Sequence, residues 1–242
     1  MQIMREYACC HKSQPTQIGE FIAELSPAAL LDLESIEYSS NYSSGQLLFS
    51  ETQILPGVYF ILAGEVKISM NSSNGKRMIL HIAKTGEILG IASTLSGRPI
   101  EWSAETISSA KITLIKRREF LAFLMRHPEA YHFLTTELSR DLNIALEKLR
   151  AVGLSSSASG KLAQLLLDWS EDRPKTEDET KLRLTLTHAE IGEFIGISRE
   201  TVTRILTYFK RQRLVVFHGC TVTIPSRRAL ESYALGRSSI YA

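Results

Sequence analysis

The feature that most constrains this chain is a pair of short helices predicted between Thr187 and Phe209. Thr187 stands three residues before Glu190, which is the spacing of a capping box at a helix start. Gly196 suits the left-handed residue that ends a helix, and Ser198 can cap a second helix. Two short helices joined by a turn that contains glycine form a helix-turn-helix, so the sequence predicts one here.

The second of these helices has one apolar face and one polar face. The apolar positions fall at i, i+3, i+4 and i+7, as in a buried stripe: Val202, Ile205, Leu206 and Phe209. The opposite face carries Arg199, Glu200 and Arg204, beside Thr203 and Thr207. An arginine can bind guanine through O6 and N7, and a glutamate can accept a hydrogen bond from cytosine N4. We therefore expect Arg199, Glu200 and Arg204 to read bases in the major groove; surface ion pairing is the alternative.

A two-stranded wing and a basic charge balance accompany this motif. Leu214–Phe217 and Thr221–Ile224 are predicted strands, with a turn at His218 and Gly219. From Lys181 to the end there are ten Lys and Arg against four Asp and Glu, a net charge of +6. Since the whole chain is +2, the remainder is −4. A basic module suits a polyanionic partner, although charge alone is equally explained by a solvated surface.

Between Gly45 and Ile115 the pattern changes to short strands punctuated by glycines. Apolar residues alternate in three segments: Val58, Phe60 and Leu62; Val66, Ile68 and Met70; Met78, Leu80 and Ile82. Residues 71–75 read as a hairpin loop, and 18–36 as helical with a second start at Ser26-Pro27. The sequence thus predicts an α+β chain that contains a small antiparallel β-roll.

A longer helix is predicted after His127-Pro128. Its apolar residues recur at steps of three and four, as in a heptad seam: Leu134, Leu138, Leu142, Ala145, Leu149 and Val152. Such a seam favours pairing with a second copy; packing on the chain's own roll is the alternative. The small residues from Gly153 to Gly160 predict a flexible hinge, followed by a helix and a polar loop over 170–180. We accordingly predict an N-terminal tail (1–17), the roll (18–126), a dimerisation helix (127–153), and a hinge with the winged helix-turn-helix (154–242).

Composition excludes several classes of protein. With 44% hydrophobic and 22% charged residues, the chain is globular rather than disordered. No apolar run reaches the roughly 18 residues of a membrane span, and the N-terminus lacks the apolar core of a signal peptide. Three cysteines are too few and too scattered for a disulfide framework. We expect a cytoplasmic protein with no membrane partner.

The stretch THAEIGEFIGISRETVTR, from Thr187 to Arg204, resembles the helix-turn-helix of the Crp/Fnr family of bacterial transcription regulators. The resemblance extends over almost the whole chain: glycine-rich roll, long helix, hinge and winged helix. It implies a roll like a cyclic-nucleotide-binding domain (a double-stranded β-helix) and a homodimer that binds double-stranded DNA near RNA polymerase. It also implies a pseudo-palindrome with TGTGA-like half-sites and phosphate contacts from Thr187, Ser198, Thr201 and His218.

The chain departs from family members that bind cyclic AMP. Those members carry a glutamate in the roll, an Arg-Ser pair for the phosphate and a Thr-Ser pair in the dimer helix. The corresponding residues here are Ile91, Glu101-Trp102 and Ala145-Leu146, so a carboxylate would repel the phosphate. We expect no cyclic AMP bound in the usual way. Arg98 lies near these positions in the sequence but not at the place of the family's phosphate-binding arginine. Together they mark a candidate pocket for an unknown effector: Ile91, Arg98, Glu101, Trp102, Ala145 and Leu146.

The chain also lacks the metal ligands that the iron–sulfur and haem branches of the family use. Cys9, Cys10 and Cys220 cannot supply four thiolates in one protomer. Cys9-Cys10-His11 could hold a metal or react with an oxidant, but adjacent cysteines in a tail are more often incidental. Residues 91–93 offer no haem ligand. We therefore predict neither a cofactor nor a metal site.

The sequence favours a transcription regulator controlled by a signal other than cyclic AMP, or by its own abundance. The alternative is a small-ligand-binding regulatory module that acts through protein contacts, and it predicts no salt-sensitive affinity for duplex DNA. An enzyme on a cupin-like roll would need clustered histidines and carboxylates, whereas the predicted roll has His81 alone. No enzymatic activity is expected.

Overall fold

The computed structural model describes residues 16–154, 157–171, 180–184 and 186–234. The chain forms two compact units, Met1–Ile144 and Ala145–Ala242. Their boundary falls inside the long helix predicted after Pro128. The predicted N-terminal tail, with Cys9, Cys10 and His11, lies outside the described residues apart from Thr16 and Gln17.

Two short helices open the first unit: α1 (Gln17–Glu24) and α2 (Pro27–Ser35). The Thr16 hydroxyl caps α1 by accepting a hydrogen bond from the Gly19 amide at 3.1 Å. Ser26 caps α2 in the same way, and Pro27 occupies the first turn, where its missing N–H costs nothing. The second helix start predicted at Ser26-Pro27 is confirmed.

Two antiparallel four-stranded sheets form the roll that the sequence predicted. The strands are β1 (Tyr38–Tyr42), β2 (Leu47–Phe49), β3 (Gly57–Ala63), β4 (Glu65–Asn71), β5 (Arg77–Lys84), β6 (Ile88–Leu89), β7 (Ser103–Thr106) and β8 (Ala110–Lys116). One sheet has the order β1-β8-β3-β6 and the other β2-β7-β4-β5. A short helix, α3 (Ile91–Ser96), joins β6 to β7.

Strand β3 lies between two apolar clusters. Val58, Phe60 and Leu62 pack with the helices on one side, as their alternation predicted. Tyr59 and Ile61, the residues between them, face the interior of the roll. Both faces of the strand are therefore buried, and it anchors the helices to the roll.

The alternation predicted in β5 does not describe its buried face. Met78, Leu80 and Ile82 are only partly buried, whereas Ile79 and Ala83 are 1% and 0% exposed. A β-bulge interrupts the pairing of β4 with β5 between Ile68 and Ser69. Because a bulge adds a residue to one strand, a period of two cannot be extended across it.

After the roll come α4 (Arg117–Arg126) and the long helix α5 (Ala130–Leu154). Leu134 is 2% exposed within the helical apolar cluster of its own protomer, and Leu138 packs against the same cluster. The predicted seam is therefore wrong at Leu134, which has no surface left for a partner. Leu142 and Leu146 are 61% and 46% exposed. The side chains of Leu149 and Val152 lie outside the described part.

Within the described residues, the second unit contains four further helices, a three-stranded sheet and the end of α5. Its elements are α6 (Ala158–Glu171), β9 (Thr180–Arg183), α7 (His188–Ile195), α8 (Arg199–Arg211), β10 (Val216–His218), β11 (Thr221–Ile224) and α9 (Arg227–Ala234). The sheet order is β10-β11-β9. Strand β9 was not predicted, because its residues adjoin a polar stretch that reads as a loop. No helix within the described ranges is long and apolar enough to cross a membrane.

Part of the segment 153–160, which the sequence predicts as a hinge, is helical in the structure. Gly153 lies in α5 and Gly160 in α6. The Ser157 hydroxyl accepts a hydrogen bond from the Gly160 amide at 3.2 Å, which caps the start of α6. Small residues fit a helix start as readily as a flexible linker, and the hydrogen bond to Ser157 shows that residues 158–160 belong to the first turn of α6.

Candidate nucleic-acid interface

The first helix of the predicted motif, α7, starts with a complete capping box. The Thr187 hydroxyl accepts a hydrogen bond from the Glu190 amide at 3.2 Å. In return, the Thr187 amide donates to the Glu190 carboxylate at 3.0 Å. Gly196 ends the helix in the left-handed conformation, with φ 73°. The predicted start and end of this helix are both confirmed.

The second helix, α8, is capped by Ser198, whose hydroxyl accepts from the Thr201 amide at 3.2 Å. Its predicted apolar stripe is buried, at 3% exposure or less: Val202, Ile205, Leu206 and Phe209. The Phe209 ring meets Tyr233 of α9 edge-on at 5.3 Å. These contacts hold one face of α8 in the core of the unit and direct the other outward.

The outward face of α8 carries all five polar residues predicted for it: Arg199, Glu200, Thr203, Arg204 and Thr207. Hydrogen bonding to its own amide at the helix start lowers the pKa of Glu200, and Ser198 and the charge of Arg199 lower it further. Glu200 is therefore an ionised, acceptor-only group beside a guanidinium. This face can accept from cytosine N4 and donate to guanine, as base reading requires.

A hydrogen bond that the sequence did not predict joins α7 to this face. Nδ1 of His188 lies 2.9 Å from Oγ1 of Thr203, which also donates to the carbonyl oxygen of Arg199 at 3.0 Å. His188 is the first residue of α7 and is only partly buried. Its place directly after the cap Thr187 was the available sequence signal.

The wing is a hairpin of β10 and β11 extended by β9. His218 is the last residue of β10 and pairs with Thr221, so the turn is Gly219-Cys220 rather than the predicted His218-Gly219. Gly219 has φ 61°, a conformation that glycine adopts without strain. The side chains of His218 and Cys220 are exposed at this end of the hairpin. Lys181 of β9, the first cation of the predicted basic segment, pairs with Thr223 and is exposed.

Aromatic contacts fix the helices that support the motif. Trp169 of α6 meets Phe194 of α7 edge-on at 5.6 Å. The hydroxyls of Tyr208 and Tyr233 are 3.0 Å apart, which ties α8 to α9. The polar face of α8 therefore belongs to a packed domain and not to an isolated helix.

The six positions proposed for an effector pocket have different surroundings in the structure. Ile91 is 3% exposed and packs with the helices, because Gly90 turns the chain in the left-handed region at φ 83°. Trp102 instead packs against Phe49 at 5.1 Å, within the cluster that fills the roll. The remaining four positions are exposed, two of them in the second unit: Arg98, Glu101, Ala145 and Leu146. Across the described ranges, no three His, Cys, Asp or Glu residues are grouped so as to hold a metal ion.

Comparisons with known proteins match both units. A cyclic nucleotide-binding domain model matches residues 39–127, and a Crp-like helix-turn-helix domain model matches residues 160–233. The chain belongs to the Crp/Fnr family of transcription regulators. This Crp/Fnr chain is accordingly a DNA-binding transcription regulator, and its α+β fold agrees with the prediction.

Relatives in this family share about a quarter of their residues with the chain. The transcriptional activatory protein AadR of Rhodopseudomonas palustris is 28% identical over 84% of this chain and 85% of its own length. The cAMP-activated global transcriptional regulator CRP of Haemophilus influenzae is 27% identical over 71% and 76%. The solved structure of FixK2 from Bradyrhizobium japonicum has a TM-score of 0.71 at 21% identity, covering 82% of this chain and 97% of that one. The last of these likenesses concerns the fold alone.

Proposed function

We propose that this regulator binds a pseudo-palindromic promoter sequence as a homodimer, with α8 of each protomer reading one half-site. The observation that carries the proposal is the exposed start of α8. It presents the Arg199 and Arg204 guanidinium groups and the ionised Glu200 carboxylate on a helix whose opposite face is buried in the core of the unit. An α-helix fits the major groove, and its N-terminal residues approach the base edges.

In this proposal Arg199 and Arg204 bind guanines and Glu200 accepts from a cytosine, as a TGTGA-like half-site and its complement require. Contacts with phosphates are assigned to Thr187, Ser198, Thr201 and His218. In the free protein the Thr187 hydroxyl donates to the Glu190 carboxylate at 3.0 Å. Binding of a phosphate by Thr187 therefore exchanges one acceptor for another, and its gain in affinity is small.

The homodimer is proposed from the second half of α5. Leu142 and Leu146 are one helical turn apart on the same face and are 61% and 46% exposed. Exposed leucines at this spacing suit a helix that pairs with a second copy of itself. Ala145 is exposed beside them. The proposed seam therefore begins near Leu142 and continues towards Leu149 and Val152.

Control by a signal other than cyclic AMP, or by abundance, is proposed from the roll. Trp102 packs on Phe49, which in turn lies 5.2 Å from Tyr59. These aromatic side chains occupy the interior of the roll, and the neighbouring Glu101 is an exposed carboxylate. Neither Glu101 nor Trp102 offers the cation that the phosphate of a cyclic nucleotide needs.

The test is selection of binding sites from random duplexes by the full-length protein, followed by affinity measurement at several salt concentrations. We expect a symmetric motif and an affinity that falls steeply with salt, because bound phosphates release counterions. Selection of no symmetric motif would overturn the proposed reading. Salt-insensitive or absent duplex binding would favour the alternative, a module that acts through protein contacts.

The assigned readers are tested with Arg199→Ala and Arg204→Ala. Each should cost about 1–3 kcal/mol on the selected site and relax preference at one base pair. Arg211→Ala is the matched control, because it removes the same charge roughly 18 Å from Arg199 along the same helix. Equal losses on selected and random DNA would reduce Arg199 and Arg204 to phosphate contacts.

A further inference from the structure

The hydrogen bond between His188 and Thr203 determines which nitrogen of the imidazole carries a proton. The Thr203 hydroxyl has a single hydrogen, and it points to the Arg199 carbonyl oxygen at 3.0 Å, which can only accept. Oγ1 of Thr203 must therefore accept from Nδ1 of His188, 2.9 Å away. A neutral His188 held in this way has its hydrogen on Nδ1 and none on Nε2.

We propose that His188 binds a DNA phosphate through Nε2 and does so only as the imidazolium, so that binding of DNA takes up a proton at this residue. The inference rests on the proposed function. A phosphate oxygen only accepts hydrogen bonds, and a bare Nε2 lone pair would repel it. With Nδ1 already committed to Thr203, protonation of Nε2 is what makes His188 a donor to phosphate.

The position of His188 agrees with this role. In a helix-turn-helix the second helix enters the groove while the first crosses the DNA backbone. His188 is the first residue of the first helix and is bonded to the exposed face of the second, through a residue one turn from Arg199. Its imidazole therefore lies where the groove-reading face meets the backbone-crossing helix.

Charged groups lie on α7 itself and on the helices α6 and α8, which pack on it. Among those with described side chains, they are Glu190 and Glu193 of α7, Lys161 and Asp168 of α6, and Arg199, Glu200, Arg204, Lys210 and Arg211 of α8. Tyr208 of α8, also titratable, is bonded to Tyr233. Glu190 is bonded to Thr187, and Asp168 accepts from Gln164 at 2.7 Å. Glu200 is bonded to Ser198. An arriving phosphate brings an anion to the Nε2 side of His188, where it favours the imidazolium.

The experiment measures the affinity of the full-length protein for its selected duplex from pH 6 to 8.5 at constant ionic strength. For the wild type we expect the dissociation constant to rise with pH, by up to about tenfold per unit and per protomer. His188→Gln should show a flat profile that meets the wild type near pH 8.5. His132→Gln is the matched control, because His132 is an exposed histidine of α5 that is assigned no contact with DNA; it should keep the slope.

A second variant tests the tautomer directly. Thr203→Val removes the acceptor that holds the proton on Nδ1, so a neutral His188 can then offer Nε2–H to the phosphate. The pH slope should fall although His188 is still present, which a purely structural role for His188 would not produce. If the dissociation constant of either His188→Gln or Thr203→Val depends on pH as steeply as that of the wild type, the inference is overturned and the proposed function is unaffected. Absence of sequence-specific DNA binding by the wild type at every pH would overturn the proposed function as well as the inference.

Discussion

The carbonyl oxygen of Ile197 lies 2.6 Å from the point that a Cβ on Gly192 would occupy. The Ile197 amide also donates to the Gly192 carbonyl at 3.0 Å. The chain therefore doubles back on α7 at backbone-to-backbone distance before α8 begins. This approach sets where α8 starts, and with it the position of the reading face.

Gly192→Ala should destabilise the second unit by about 3 kcal/mol, because the clash is with backbone and no side chain can move aside. Gly219→Ala, in open space at φ 61°, should cost only about 1 kcal/mol of left-handed strain. Urea unfolding followed by Trp169 fluorescence in a Trp102→Phe background reports on this unit, since the chain has two tryptophans. Equal costs for the two alanine variants would contradict the close approach.

The pair of Glu137, which is buried, and Arg140, which is 42% exposed, predicts an asymmetry between single and double variants. The Glu137 side chain is 1% exposed and lies 2.6 Å from the Arg140 guanidinium. Arg140→Met should cost about 1–2 kcal/mol, because it leaves the buried Glu137 carboxylate without a cation that is itself partly in solvent, whereas Glu137→Leu with Arg140→Met should be nearly neutral. Arg126→Met, which breaks the more exposed pair with Asp32, should cost under about 1 kcal/mol. Unfolding of the first unit, followed by the fluorescence of Trp102 in a Trp169→Phe background, measures the loss of stability in each variant and so tests this order.

Glu37 makes the stability of the first unit depend on pH. Burial first, and the neighbouring Glu34 second, raise the pKa of Glu37 from 4.5 to about 7. Between these pH values the folded chain holds a proton that the unfolded chain has released, so wild-type stability falls as pH rises from 4.5 to about 7.

Glu37→Gln should remove this fall. The variant should match the wild type near pH 4 and exceed it at pH 8 by about 1–2 kcal/mol, after allowance for partial exposure. Urea midpoints at the two pH values measure the difference, and Glu101→Gln, at an exposed site, is the control. A difference that is the same at both pH values would rule out the proposed titration.

The proposed seam predicts a loss of dimerisation when Leu142 and Leu146 are both replaced by glutamate. Burying charge in place of two leucines should weaken the dimer about a hundredfold or more. Met125→Glu is a matched control, because Met125 is an apolar residue, 82% exposed on α4. Sedimentation velocity distinguishes the species. An unchanged dimer in the double variant, with a monomer in the control, would move the interface away from α5.

Local features of the reading domain could be predicted from sequence. The caps at Thr187 and Ser198 involve residues three positions apart, and the stripe from Val202 to Phe209 follows from helical periodicity. These features depend on chain geometry within two turns, so neighbouring units cannot alter them. The strand pairing of β9 depends instead on β11, about forty residues away, and its polar surroundings concealed it.

The same division runs through the long helix and the functional site. Leu134, Leu138 and Leu142 are the same residue type and follow one another at steps of four, so the sequence does not distinguish them. Only packing within the first unit shows that Leu134 is buried and Leu142 is exposed. The sequence by itself determined a capped helix that carries Arg199, Glu200 and Arg204 on its polar face. Only the tertiary structure decided that His188 donates to Thr203, because the contact joins two helices whose crossing is set by packing at Gly192.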